Sequence, residues 1–218
     1  MQRAIMQNTP IAIIGGTGKA GKYIVKQLLQ HQYQIKFLHR DPSSVPINNP
    51  LIEFVTGDAR NPKAIAELLS GCGVVISAVG QPAGEPPIFS QTTQIILDAM
   101  QELGVSRYIS LTGLNVDTPF DTKSAKTKFG TDWMYQNYPK TTADKQVEYD
   151  VLSARNVDWT LIRLPMIQQT DELPEVITSL EDCPGDFISA SSLGKWIVDQ
   201  LGSSSFSKKA PFLANTGS

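Results

Sequence analysis

The chain is poor in the residues that most often announce chemistry: two cysteines and two histidines in 218 positions. Cys72 and Cys183 lie far apart and neither sits in a CxxC pair, which excludes a disulfide framework and a zinc knuckle and leaves two idle or buried thiols. His31 and His39 stand alone, without an HExxH or any paired-ligand spacing, so no metal is expected. No apolar run approaches the roughly 18 residues that cross a bilayer, and the first ten residues lack the apolar stretch of a signal peptide. The expectation is a cytoplasmic protein with no membrane partner. Charge of either sign is not in excess: 19 basic against 21 acidic residues give a net −2, and no basic block occurs beyond Lys208-Lys209. A nucleic-acid partner is therefore not expected. A chain of this length buries roughly 70% of its unfolded surface and needs no staple, so 1–218 is expected to be a single domain.

What is present is alternation. Residues 11–14 form a short, β-branched apolar run that reads as a buried strand, and apolar residues at 24, 25, 28 and 29 then recur at helical spacing. Further strands are predicted over 34–39, 51–56, 73–79, 107–111 and 159–164. Helices are predicted over 63–70 behind Asn61-Pro62, over 88–103 ending at Gly104, over 143–155 and over 191–201. The stretch 113–142 is polar and weakly periodic, and is expected to be loop with a short helix. A last strand is expected at 211–213. Strands separated by helices in this order predict an α/β, doubly wound parallel sheet of the Rossmann type, three layers deep with a small C-terminal extension.

Between the first strand and the first helix stands Gly15-Gly16-Thr17-Gly18-Lys19-Ala20-Gly21, which satisfies both GxGxxG and GxxGxxG. In that context the glycines permit a tight turn, close backbone approach to a pyrophosphate and close helix–strand packing, and the helix N-terminus offers free N–H groups. Gly16 to Lys22 also spells the start of a P-loop, but Tyr23 replaces the magnesium-holding hydroxyl and no later strand ends in an acidic residue, so an NTPase is excluded. The second strand ends His39-Arg40-Asp41. Arg40 offers a planar fork for a 2′-phosphate, whereas Asp41 before Pro42 reads as a turn residue. NADP(H) is expected over NAD(H).

The segments GGTGKAG (15–21), LHRDPS (38–43), GDARNP (57–62), VVISAVG (74–80), RYISLTG (107–113), DWTLIRLPMI (158–167) and ISASSLGKWIVDQL (188–201) together resemble the short-chain dehydrogenase/reductase superfamily, in the atypical branch that holds the NmrA-like proteins and the flavin/biliverdin reductases. The resemblance covers nearly the whole chain. It implies that Asp58, with Ala59, accepts a bond from the adenine amino group, that Ala78, Val79 and Gly80 pass under the adenosine ribose, and that Pro165 and Met166, with Ile167, meet the nicotinamide through backbone groups.

Most members of that superfamily carry a Tyr four residues before a Lys, and a Ser at the end of the fifth strand. Here Lys145 takes the lysine place, to hold the nicotinamide ribose, but Thr141 stands where the Tyr would be, and an aliphatic hydroxyl cannot replace a phenol as proton donor. Tyr138 is a weaker candidate donor and Thr112 a candidate hydrogen-bond donor at the serine place. The resemblance then implies either direct hydride transfer to a small planar acceptor such as a quinone, flavin or carbonyl, or a non-catalytic NADP(H)-sensing regulator or assembly protein that meets a protein partner. Either could be monomeric or homodimeric. Phe120, Phe129, Trp133, Tyr135 and Tyr138 could form a slot for a flat acceptor or staple a long loop. Lys123, Lys126 and Lys128 could draw an anionic substrate or form a solvated face. Only about fifty residues follow the sixth strand, which disfavours the larger substrate lobe of a nucleotide-sugar epimerase.

Overall fold

A computed structural model describes residues 9–217, so the opening segment, on which the reading of a missing signal peptide chiefly rests, lies outside the described residues. The strands are β1 (Ile11–Ile14), β2 (Ile35–His39), β3 (Ile52–Thr56), β4 (Val74–Ser77), β5 (Arg107–Gly113), β6 (Asp158–Leu164), β7 (Met166–Gln168), β8 (Val176–Ser179), β9 (Phe187–Ser189) and β10 (Phe212–Asn215). The helices are α1 (Gly21–Gln30), α2 (Pro62–Leu69), α3 (Phe89–Leu103), α4 (Ala125–Asn137), α5 (Pro139–Ser153) and α6 (Ala190–Gln200). Eight strands form one sheet in the order β3-β2-β1-β4-β5-β6-β10-β8, and β7 pairs with β9 apart from it.

Both faces of the sheet are covered, which is why β1 reads as an unbroken apolar run. Ile11 and Ile13 pack toward Ile24, Leu28, Leu193 and Ile197 of α1 and α6. Ala12 and Ile14 pack toward Ile65, Leu68, Leu97 and Met100 of α2 and α3. All pairings are parallel except the outermost, where β8 runs antiparallel to β10 with Ile177 opposite Ala214. This edge, with the three-residue β7 and β9, was not expected, because segments so short carry no readable period.

The main correction falls on 113–142. Two helices occupy most of it, joined at Tyr138, and α5 begins at Pro139, four residues before the expected start. The only buried residues of α4 are Thr127 and Thr131, so no apolar stripe announces it. Its boundary signals are local: the Ser124 hydroxyl accepts from the Thr127 N–H, and Pro139 takes the first position of α5.

Candidate functional site

The sheet order reverses between β1 and β4, which opens a crevice at the carboxyl ends of these strands. The glycine loop lies there. Gly15 has φ +75°, and a side chain on it would stand 2.5 Å from the Ala78 carbonyl oxygen, so the loop rests directly on the end of β4. A side chain on Gly21 would overlap the Gly15 carbonyl, so the start of α1 is drawn equally close. Gly18 N–H donates to the Gly15 carbonyl at 3.1 Å, and Thr17, Gly18 and Lys19 are exposed. Asn61, Ser124 and Ser189 cap α2, α4 and α6 with their own side chains, whereas Ala20 gives α1 no side-chain cap. The Lys22 and Tyr23 N–H groups turn back to the Gly18 and Ala20 carbonyls at 3.2 and 3.0 Å, so in the first turn the Gly21 N–H is the one left to an outside acceptor.

At the end of β2, Arg40 is exposed and makes no ion pair or hydrogen bond to another described residue. Asp41 is engaged locally: its carboxylate accepts from the Ser43 N–H at 3.2 Å, and its own N–H donates to His39 Nδ1 at 3.1 Å. Asp58 is less free than expected. Arg60 Nε and Nη2 donate to its two oxygens at 2.8 Å each, and Arg60 Nη1 donates to Glu85 at 2.6 Å. The guanidinium's hydrogen bonds hold the Asp58 carboxyl down at about 2. It is therefore an ionised acceptor with one lone pair on Oδ2 still available. Ala59, Ala78 and Val79 are half-buried, and Gly80 is exposed with open space where a side chain would go.

Farther along the crevice, Tyr108, Ser110 and Thr112 alternate onto the face of β5 that α5 covers. Lys145 is half-buried with Nζ over the Phe89 ring at 5.0 Å, and burial lowers its pKa. A side chain on Gly113 would collide with Asn115 Oδ1 and come within 3.7 Å of Lys145 Nζ, so the glycine lets both polar groups converge before the end of β5. Thr112 Oγ1 and both polar atoms of the Asn115 side chain are buried without a hydrogen-bond partner. Behind Lys145, Glu148 is buried and accepts from Thr93 Oγ1 and Ser110 Oγ at 3.0 Å each. Arg60, Asn115 and Glu148 were not foreseen; only the two-residue spacing of Arg60 from Asp58 could have hinted at one of them.

Three expected roles do not hold as stated. Tyr138 does not join Lys145: it is exposed where α4 meets α5, and its ring packs edge-on against Trp133 at 5.8 Å. The Met166 N–H is not free for a nicotinamide, because the chain turns into β7 there and this N–H donates to the Asp186 carbonyl at 3.2 Å. Lys123 neither faces solvent nor draws a substrate: it is buried and pairs with Asp117 at 2.6 Å. Beside it, fully buried Arg163 donates through Nη1 to both Asp121 oxygens at 2.7 Å, binding the 115–123 loop to β6.

Of the five aromatics, Phe129, Trp133 and Tyr135 lie on α4 and Tyr138 at its end, and all five keep exposed surface. Phe129 alone of them lines a cleft of about 310 Å³ between α4 and the 183–186 loop, together with Leu114, Pro165 and Cys183. Pro165 ends the β6 side of the crevice and Leu114 follows Gly113, so this cleft adjoins the Lys145 end. Two hollows of about 450 and 380 Å³ lie at the opposite, amino end of the sheet around Ser106 and Asp158, away from this arrangement.

A parallel sheet with a glycine loop at its switch point, a helix start without a side-chain cap, an exposed Arg at the end of β2 and a half-buried Lys beside the end of β5 has the form of a dinucleotide-binding α/β protein. A sequence model described as NAD(P)H-binding matches residues 15–204, and the chain belongs to that family. It is 24% identical over 196 residues to the photosystem II assembly factor Ycf39 of Trieres chinensis. That alignment covers 88% of this chain and 59% of Ycf39, so the chain spans less than two thirds of the relative's length. Among solved structures, a short-chain dehydrogenase/reductase from Veillonella parvula in complex with NADP superposes with a TM-score of 0.77 at 17% identity, covering 96% of this chain and 95% of that one. ChuY, an anaerobillin reductase from Escherichia coli O157:H7, gives 0.80 at 16% identity, over 96% and 98%. These likenesses establish the fold of short-chain dehydrogenase/reductases. Among the described residues no helix is long and apolar enough to cross a membrane.

Proposed function

We infer that the protein binds NADP(H) and reduces a small planar acceptor without a protein phenol. The observation that carries the reading is Arg40: an exposed guanidinium at the end of β2 with no hydrogen bond or close ion pair to a described residue, near the Asp58 carboxylate and beside an Asp41 committed to its own turn. An unpaired fork suits a 2′-phosphate, whereas ribose hydroxyls want the carboxylate that Asp41 has turned away. The uncapped start of α1 takes the pyrophosphate, Asp58 Oδ2 retains a lone pair for the adenine amino group, and Ala78 to Gly80 leave room for the ribose. Lys145 binds the nicotinamide ribose, with the unpartnered Thr112 and Asn115 side chains at the same strand end.

The bound reduced cofactor supplies a hydride. The chain's share is placement and exclusion of water, which can account for much of a barrier when the acceptor needs no protein acid. Calorimetric titration with NADPH and NADH, beside loss of the dihydronicotinamide absorbance with quinones, flavins and small carbonyls, tests this. Tight NADPH binding with turnover is expected; binding of neither cofactor would remove the reading.

A second reading rests on α4. Its docked face is made of threonines, while Phe129, Trp133 and Tyr135 stay exposed, and the likeness to an assembly factor points the same way. In that case the protein is a non-catalytic NADP(H) sensor with a protein partner. Tight NADPH binding without turnover of any acceptor, joined to a partner affinity that differs between the oxidised and reduced cofactor, would favour it.

A further inference from the structure

The cleft between α4 and the 183–186 loop carries marks of its ligand. Its inner surface is mostly carbon, from Leu114, Pro165 and Pro184, and its volume of about 310 Å³ is at the small end of ligand pockets. At its rim the Phe129 ring is 72% exposed, an apolar surface left in water beside a concave apolar one. Its two charged lining residues, Lys126 and Asp186, neutralise each other at 2.5 Å. Gly130 sets the depth: a side chain there would press on Leu114 Cδ1 at 3.2 Å.

We propose that this cleft binds a neutral, apolar ring system of one or two fused cycles, stacked on Phe129. Resting on the reductase reading above, that ring is the acceptor, of the benzoquinone or naphthoquinone class. An anionic ligand is disfavoured because the exposed Lys126–Asp186 pair carries no net charge and the lining holds no other cation to balance an anion. A linear tetrapyrrole, with two carboxylates, finds no second cation in this lining. The reaction balances as quinone plus NADPH plus one proton giving hydroquinone plus NADP⁺. The quinone gains two electrons and two protons, one with the hydride and one from solvent, since Tyr138 points elsewhere.

Cys183 lies in this lining and Cys72 is buried in the core, so alkylation by N-ethylmaleimide reads the cleft. The 218-residue chain with NADP⁺ would be alkylated in the presence of duroquinone, biliverdin or flavin mononucleotide. Duroquinone is expected to slow the reaction of Cys183, and the two anions are not. Phe129→Ala, at an exposed position that folding does not need, should raise the protecting concentration of duroquinone about tenfold, the loss of one ring–ring contact. Equal protection by biliverdin or flavin mononucleotide, absence of protection by duroquinone, or protection indifferent to Phe129→Ala would each overturn the proposal. NADPH oxidation by duroquinone without protection of Cys183 would overturn the cleft and leave the reductase reading standing. Protection without oxidation would keep the cleft as a ring-binding site and overturn the acceptor role proposed for it.

Discussion

The Ser110 hydroxyl on β5 donates to Glu148 Oε1 on α5 at 3.0 Å, fixing a carboxyl group inside the protein one turn beyond Lys145. Thr93 of α3 donates to the same oxygen, and its hydroxyl also meets the Tyr108 hydroxyl at 3.3 Å, while Oε2 has no partner. Asp144 and Lys145 are the charged neighbours on the same helix, and Asp144 is turned to the start of α3, where it accepts from the Phe89 N–H at 2.8 Å. Burial pushes the Glu148 carboxyl up to about 7 and lowers Lys145.

That shift has a sign. From 4.5 in the unfolded chain to about 7 when folded, Glu148 binds its proton more tightly in the native state. Its contribution is fully present below pH 4.5 and is lost as pH rises through about 7. Glu148→Gln, a neutral isostere, should match the wild type near pH 4 and exceed it by on the order of 1–3 kcal/mol near pH 8. Urea midpoints across that interval check it; a gap that does not change with pH would mean that Glu148 does not titrate there.

Arg40→Ala should weaken NADPH by about ten- to a hundredfold, the loss of charge-assisted hydrogen bonds worth about 1.5–3 kcal/mol, and leave NADH nearly unchanged. Asp41→Ala should leave both cofactors alone, because its carboxylate serves the Ser43 turn. Calorimetric dissociation constants decide; equal losses for NADPH and NADH on Arg40→Ala would take the 2′-phosphate away from this residue.

The parts of the molecule legible in the sequence are those where local chemistry and tertiary packing agree. The β1 run and the turn from Gly15 to Gly21 could be placed because a two-sided buried strand and a glycine turn each leave an unambiguous trace. The face of α5 could not: its buried residues are Thr142, Glu148 and Leu152, two of them polar, so hydropathy reads that face as surface. The Arg60 pairing with Asp58 and Glu85 joins residues up to 25 positions apart, and no pattern in one chain announces such a contact. Lys123 misled for the same reason, since charged residues are rarely buried unless a partner from elsewhere in the chain neutralises them.

Arg163 gives the clearest stability prediction. Its guanidinium is fully buried, with Nη1 on Asp121, Nε on the Ala210 carbonyl at 2.8 Å and Nη2 on the Leu180 carbonyl at 3.1 Å. Asp121→Ala removes the counter-charge and should destabilise by about 3–5 kcal/mol, while Arg163→Met in the same chain should restore part of the loss. Chemical denaturation of the two variants checks this. A loss below about 1 kcal/mol, the range of exposed pairs, would mean that water reaches the guanidinium.

Two glycines at the crevice separate fold from binding. At Gly15, alanine must adopt φ +75°, which costs about 1–2 kcal/mol, and must also push back the Ala78 carbonyl 2.5 Å away. The loop should lift from the end of β4, lowering both thermal stability and NADPH affinity. Gly80 is the contrast, because a methyl group there meets nothing within 4 Å. Gly80→Ala should leave the unliganded protein's melting temperature within about a degree or two, as for a surface change of under 0.5 kcal/mol. If the adenosine ribose passes over that strand end, the same methyl group should weaken NADPH and NADH alike, since it lies outside the 2′-phosphate. Unchanged affinity for both would move the ribose off β4, while a loss confined to NADPH would bring the 2′-phosphate to Gly80 instead of Arg40.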